Sequence, residues 1–175
     1  KFDSPAGIAL GPDGSVAVAD TGNHRIVTFH ADGTPRASWG DWGRFPSLFA
    51  EPSGVEWNGE LIFVTDQLNH RVQVFTPDGE LVTWWGMHAV LLRQGEGHIH
   101  YPQDIAISSD GMRTVVTEPF ERRIQFFGPG EPSRPSRSAT RAPRGLQSHF
   151  GSELEADGRG LVVWEPEVRS VAVFI

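Results

Sequence analysis

Asp20-Thr-Gly-Asn-His-Arg-Ile-Val-Thr-Phe29 returns 46 residues later as Asp66-Gln-Leu-Asn-His-Arg-Val-Gln-Val-Phe75. Two weaker copies follow, Glu118-Pro-Phe-Glu-Arg-Arg-Ile-Gln-Phe-Phe127 and Glu165-Pro-Glu-Val-Arg-Ser-Val-Ala-Val-Phe174. His24, His70, Arg122 and Arg169 fall in one column and Phe29, Phe75, Phe127 and Phe174 in another, with the same spacings of 46, 52 and 47. A period of this length marks an array of like units rather than one irregular core.

Working outward, each copy has an upstream partner. Pro5-Ala-Gly-Ile8, Pro52-Ser-Gly-Val55 and Pro102-Gln-Asp-Ile105 open the first three units. Asp-Gly or Asn-Gly turns follow at Asp13-Gly14, Asn58-Gly59 and Asp110-Gly111, and again at Asp32-Gly33 and Asp78-Gly79. Such dipeptides between apolar runs are hairpin signals because both residues tolerate positive φ. Each unit therefore reads as four short antiparallel strands, the signature of a propeller blade. Twenty glycines and thirteen prolines in 175 residues suit a chain built of tight turns. No segment carries a long helical period.

The expected fold is an all-β propeller of about four four-stranded blades in one domain, 1–175. The units run approximately over 1–48, 49–98, 99–145 and 146–175, with an irregular Pro/Arg-rich insertion at 128–145. The pattern Pro-x-Gly-(Ile/Val), Val-(Ala/Thr)-Asp and Asn-His-Arg-(Ile/Val)-x-x-Phe resembles the NHL repeat. The likeness covers nearly the whole chain, close in the first two units and weaker after. The resemblance implies a β-propeller, most often six-bladed, and specifies fold better than function.

Six blades at this period need about 280 residues. The chain has 175, starts at Lys1 and ends at Ile175, where the fourth unit's outer strand is due. The sequence thus reads as a fragment, a processed chain or the ordered part of something longer, hence an incomplete six-bladed ring. A small four-bladed ring, or a ring completed by a second chain, is the alternative. An open arc would leave two apolar blade faces exposed.

The formal charge of −7 argues against binding nucleic acid through phosphate contacts. There is no cysteine, which removes disulfides and thiolate metal sites and leaves the compartment open. That includes an extracytoplasmic one, if an N-terminal segment was removed. No apolar run approaches the length of a membrane span. Residues 128–145 carry Arg134, Arg137, Arg141 and Arg144 against Glu131 alone, with four prolines. This stretch reads as a solvated loop or irregular edge, or as an arm that docks an acidic partner.

Asp20 and Arg25, Asp66 and Arg71, and Glu118 and Arg123 stand five apart across a turn. Recurrence in unit after unit makes them a structural clamp rather than a catalytic set, and it demotes His24 and His70 with them. In the fourth unit Ser170 replaces the arginine, so its clamp is in doubt. His98-Ile-His100 is the more unusual pair. Two histidines one residue apart share a side of an extended segment and can ligate one metal, Zn or Ca being the ions in question. No third ligand is evident nearby.

Peptidyl-hydroxyglycine amidating lyases use a similar propeller, and their zinc ligands are histidines directly after the blade-opening Pro. Here those positions hold Ala6, Ser53 and Gln103, none of which replaces a histidine. Gluconolactonase-type propellers need a calcium site, and Glu56, Asp104 and Glu153 match no defensible spacing for one. Trp39 and Trp85 end equivalent strands and are expected between blades. Trp42 and Trp57 are out of repeat register. An exposed indole there would anchor a partner, making Trp42 a candidate contact, with core or edge packing the competing reading.

The leading functional expectation is a noncatalytic protein-binding or scaffolding subunit of a larger assembly, with no resident cofactor. Its contacts would use the channel mouth, at connectors 44–51 and 87–101, or the basic arm. The competing class is a metal-dependent lyase or lactonase-like enzyme built on His98, His100 and Asp104. A ligand-binding sensor is the third.

Overall fold

The computed structural model describes residues 1–86, 98–108 and 113–128 in full. It gives strands Pro135–Arg141, Gly151–Leu154, Leu161–Glu165 and Ser170–Phe174 as backbone. The first sheet is β1 (Ile8–Leu10), β2 (Val16–Asp20), β3 (Arg25–Phe29) and β4 (Pro35–Trp39), in that order and antiparallel throughout. The second repeats it as β5 (Pro52–Trp57), β6 (Ile62–Asp66), β7 (Arg71–Phe75) and β8 (Leu81–Trp85). The third is β9 (Asp104–Ile107), β10 (Thr114–Glu118), β11 (Arg123–Phe127) and β12 (Pro135–Arg141). The fourth shows β13 (Gly151–Leu154), β14 (Leu161–Glu165) and β15 (Ser170–Phe174).

The turns follow from side-chain chemistry. Asp13 Oδ1 accepts the Ser15 amide and Asp32 Oδ1 the Thr34 amide, both at 2.9 Å, so each aspartate closes its own turn. The core lies between sheets. Ala9, Ala17, Ala19 and Ile26 of the first sheet pack on Val55, Ile62, Val64 and Phe75 of the second. Val72 and Val74, the alternate residues of β7, face the other way onto Ile105, Val116 and Phe127 of the third. The second sheet is thus buried on both faces by its neighbours, and the inner strands β1, β5, β9 and β13 follow one another in contact. The architecture is a β-propeller of four-stranded antiparallel blades.

Within the Pro/Arg-rich stretch, Pro135–Arg141 forms edge strand β12, whose register on β11 shifts between Ile124 and Phe126 and again before Phe127. An edge position tolerates a proline because no further strand needs its amide. Arg137 and Arg141 lie on this strand. Arg134 and Arg144, and connector residues 87–97, lie outside the described residues. In the fourth sheet Glu165 and Ser170 stand opposite each other in the β14–β15 ladder.

Among the described residues, the chain enters its blades at one end of the propeller, with the β2–β3 turns beside the entries. The hairpin turns β1–β2 and β3–β4 form the opposite end. We call these the connector end and the hairpin end.

Candidate functional site

At the connector end of the first three blades the β2-type strand finishes in a carboxylate and the β3-type strand starts with an arginine, so the two face across the ladder. Arg25 Nε lies 2.7 Å from Asp20 Oδ2, Arg71 Nε 2.7 Å from Asp66 Oδ2, and Arg123 Nη2 2.7 Å from Glu118 Oε1. The pair does more than close its turn. Each carboxylate also accepts the amide of the residue two before a blade-opening proline: Asp3 at 2.7 Å, Ala50 at 2.7 Å and His100 at 2.6 Å.

Each arginine reaches the same connector from the other side. Arg25 donates to the Lys1 carbonyl at 3.2 Å and Arg123 to that of His98 at 2.7 Å. Arg71 donates to the carbonyls of Phe45 at 2.9 Å and Leu48 at 2.8 Å. Gln73 and Gln125 add a further donor to the Leu48 and His98 carbonyls. The clamp therefore fixes the incoming connector to the blade, satisfying backbone groups that no ladder pairs.

Burial tunes the clamps differently. Burial pushes the Asp20 carboxyl up, but the Asp3 amide, Asn23 and Arg25 together bring it below its ordinary value. Asp66 is more deeply enclosed, and there burial outweighs the Ala50 amide, Asn69 and Arg71 and holds the carboxyl above its ordinary value.

The histidines of the repeat join neighbouring blades. His24 and His70 cap the 3-10 turns Thr21–Asn23 and Gln67–Asn69 in the left-handed region, with φ of 53° and 55°. His24 Nδ1 accepts the Glu51 amide at 3.3 Å and His70 Nδ1 the Tyr101 amide at 3.1 Å. Glu51 and Tyr101 directly precede the opening prolines of the next blades and have φ of 58° and 49°. A pre-proline residue normally prefers extended backbone, so these positions are strained and the histidine helps hold them.

At the junction of the second and third blades the His70 and His100 rings stack, 5.0 Å apart and 9° from parallel. Tyr101 meets both edge-on, at 4.4 and 4.6 Å, and Phe120 closes on His100 at 5.4 Å. His100 Nδ1 lies 2.8 Å from Glu121 Oε1, and both side chains are buried.

The connector end is also apolar at its surface. Trp42 and Phe45 are each 71% exposed, and Leu68 and Phe120 are exposed on the β2–β3 turns of the second and third blades. Leu68 and Phe120 occupy the same place, two residues after the clamp carboxylate. Phe45 is held from behind by Arg71, and the loop under Trp42 is fixed by the Phe49 amide donating to the Asp41 carbonyl at 2.9 Å. Among the described residues, the hairpin-end turns expose no large apolar side chain and carry Asp13, Asp32, Glu60, Asp78 and Glu80.

The residues expected from sequence are distributed as follows. The three clamp pairs are assembled. His98 meets the clamp through its carbonyl, and His100 is engaged with Glu121, His70 and Glu118. Among the described residues no three His, Cys, Asp or Glu side chains come together as a metal-binding group. Trp42 is exposed, whereas Trp57 is buried against Gly11 of the first blade. Trp39 and Trp85 lie between blades, on Phe75 and Phe127 respectively. Sequence reasoning missed Phe45, Leu68, Phe120 and Glu121. The available signal was an apolar residue inside a turn, repeated in two units, and a glutamate in the column of Asn23 and Asn69.

The family model of the NHL repeat matches residues 2–29. Over 130 residues, 73% of the chain, it is 27% identical to the protein brain tumor of Drosophila melanogaster and 26% identical to the B-box type zinc finger protein ncl-1 of Caenorhabditis elegans. Over 134 residues it is 27% identical to the peptidylglycine alpha-amidating monooxygenase of Rattus norvegicus. The matched region spans only 12–14% of these relatives' lengths. Among solved structures, hydrazine synthase of Kuenenia stuttgartiensis superposes on 99% of the chain with a TM-score of 0.73 at 16% identity. A chain of the nidogen/laminin complex does so with a TM-score of 0.72 at 20% identity. The chain covers 46% and 60% of those two chains, and at such identities the likeness is one of fold.

Proposed function

We propose that this chain, an NHL-repeat β-propeller, is a noncatalytic protein-binding module that meets its partner with the connector end, as part of a larger assembly. The observation that carries this reading is the set of exposed apolar side chains Trp42, Phe45, Leu68 and Phe120 at one end of the propeller. Exposed aromatics on a rigid frame are what a partner's pockets engage, and here the clamps supply the frame. Among the described residues, the hairpin-end turns are polar and acidic and expose no large apolar side chain.

Ala6, Ser53 and Gln103 stand where a related lyase would need histidines, which weighs against amidating chemistry despite the amidating relative. The acidic balance of the chain weighs against a nucleic-acid partner. A second reading, an enzyme with its site at the same end, draws support from the cluster of His70, His100, Tyr101 and Glu121. Clustered titratable groups are where catalytic sites are found, although structural networks gather them too.

The test compares affinity capture by the full chain with capture by two surface variants. Proteins recovered by the wild type are lost with Trp42→Ala/Phe45→Ala and retained with Glu60→Ala/Glu80→Ala at the hairpin end. Equal recovery by both variants overturns the proposal. Stoichiometric Zn or Ca in the purified chain, lost with His98→Ala/His100→Ala, moves the assignment to the enzyme.

A further inference from the structure

Each of the first three sheets ends on an outer strand, β4, β8 or β12, whose outward N–H and C=O groups no further strand of the sheet pairs. Such an edge recruits another strand unless proline or charge blunts it. Two of the three are blunted. β4 opens with Pro35, and its Arg36 crosses the seam between the first and second blades to Asp78 at 2.9 Å, while Trp39 packs across the same seam on Phe75 and Gly79. β12 opens with Pro135 and contains Arg137 and Arg141. In β8, Leu81 and Val82 stand where β4 has Pro35 and Arg36, and Leu81-Val-Thr-Trp-Trp85 holds neither proline nor charge.

The edge of β8 is also presented to solvent. Val82 and Trp84 are 51% and 47% exposed, and Thr83 between them is exposed as well. The Trp84 ring is steadied by Arg71, whose Cζ lies 5.9 Å from its centroid and whose Nε is fixed on Asp66. A register shift near Val82 matches the one near Arg36 in β4, so irregularity does not distinguish the two edges. Beyond it Thr83–Trp85 runs in regular ladder with Val72–Val74. The five residues of β8 are aliphatic, β-branched or aromatic, the types that suit a paired strand.

We propose that β8 is a contact between two copies of this chain, the strands running antiparallel about a two-fold axis at Thr83. In that arrangement the strand is complementary to itself. Thr83 meets Thr83, and Val82 of each copy faces Trp84 of the other. Thr–Thr and aromatic–β-branched pairs are favourable cross-strand neighbours, and no charge within the strand meets its like. A two-fold contact uses one patch twice, so a single unguarded edge suffices. Five residues make a small interface, so the pair assembles and dissociates with concentration. The contact lies on the outer edge of the second blade and does not depend on what the connector end binds.

The full chain tests it without a lysate. Its lack of cysteine makes Thr83→Cys a single thiol, and residues directly opposite in a non-hydrogen-bonded or hydrogen-bonded pair are within disulfide reach. Under mild oxidation Thr83→Cys is expected to link two copies at least tenfold faster than Glu60→Cys on the hairpin end. Light scattering of the wild type is expected to rise towards twice the monomer mass between roughly 10 µM and 1 mM. Val82→Lys/Trp84→Lys is expected to stay monomeric over that range with an unchanged circular dichroism spectrum. Equal linking rates at positions 83 and 60, a wild type that remains monomeric, or a dimer that survives the lysine pair overturns the proposal. Should Thr83→Cys fail to fold, the mass of the unmodified chain decides alone: a monomer throughout overturns it.

Discussion

Arg71, among the most enclosed cations of the described residues, donates 2.9 Å to the carbonyl oxygen of Phe45, one of the most exposed aromatics. One guanidinium thus neutralises Asp66 and fixes the backbone that carries the apolar surface. The two tasks should separate by substitution. Arg71→Ala leaves a buried carboxylate unpaired, a loss of about 3–5 kcal/mol. The Arg25 side chain is 34% exposed against 6% for Arg71, so Arg25→Ala is expected to cost about 1 kcal/mol or less. Denaturant unfolding of both variants checks the order.

Arg71→Lys keeps the charge but loses the planar fork. A single ammonium is not expected to serve Asp66, Phe45 and Leu48 together. Amide exchange in residues 43–50 should therefore quicken while the rest of the second blade keeps its protection. Unchanged exchange in that loop would show that the clamp does not organise the surface.

Acid should act on the first clamp and spare the second. Asp20 is held below its ordinary value when folded. Its stabilisation is therefore present above the unfolded value, about pH 4, and lost as pH falls through the folded value. Asp66 is held above its ordinary value by burial, so its contribution has the opposite sign and grows as pH falls through the folded value towards the unfolded one. Asp20→Asn should flatten the acid limb of a Tm–pH curve, and Asp66→Asn should not.

Gly33 and Gly79 share a positive φ, 83° and 93°, and differ in what faces them. Gly33→Ala is expected to cost about 1–2 kcal/mol from backbone conformation alone. Gly79→Ala adds a collision with the Trp39 ring and should cost more. Equal losses in thermal unfolding would contradict the packing described for that seam.

The architecture was legible because a propeller repeats its chemistry. The His and Phe columns carried the period, and the Asp-Gly turns carried the hairpins. The clamp was half legible. Asp20 and Arg25 stand opposite in an antiparallel ladder, which their spacing implies, but their hold on the Lys1 carbonyl and Asp3 amide depends on how the connector folds back. His24 and His70 look like exposed turn residues in sequence. Only their left-handed backbone turns Nδ1 towards the next blade. The apolar surface was least legible, since Trp42 and Phe45 fall outside the repeat and nothing in composition says which way they point. In sequence His100 stands beside His98 as a possible ligand, and its contact with Glu121, 21 residues further along the chain, is not visible there.

The central claim is that partners meet the connector end. A photo-crosslinking residue placed at position 42, and separately at position 58 on the hairpin end, tests it most directly. The account predicts that position 42 captures a discrete partner, that excess unlabelled chain competes the capture away, and that position 58 captures none. Capture at position 58 with none at position 42 would contradict it.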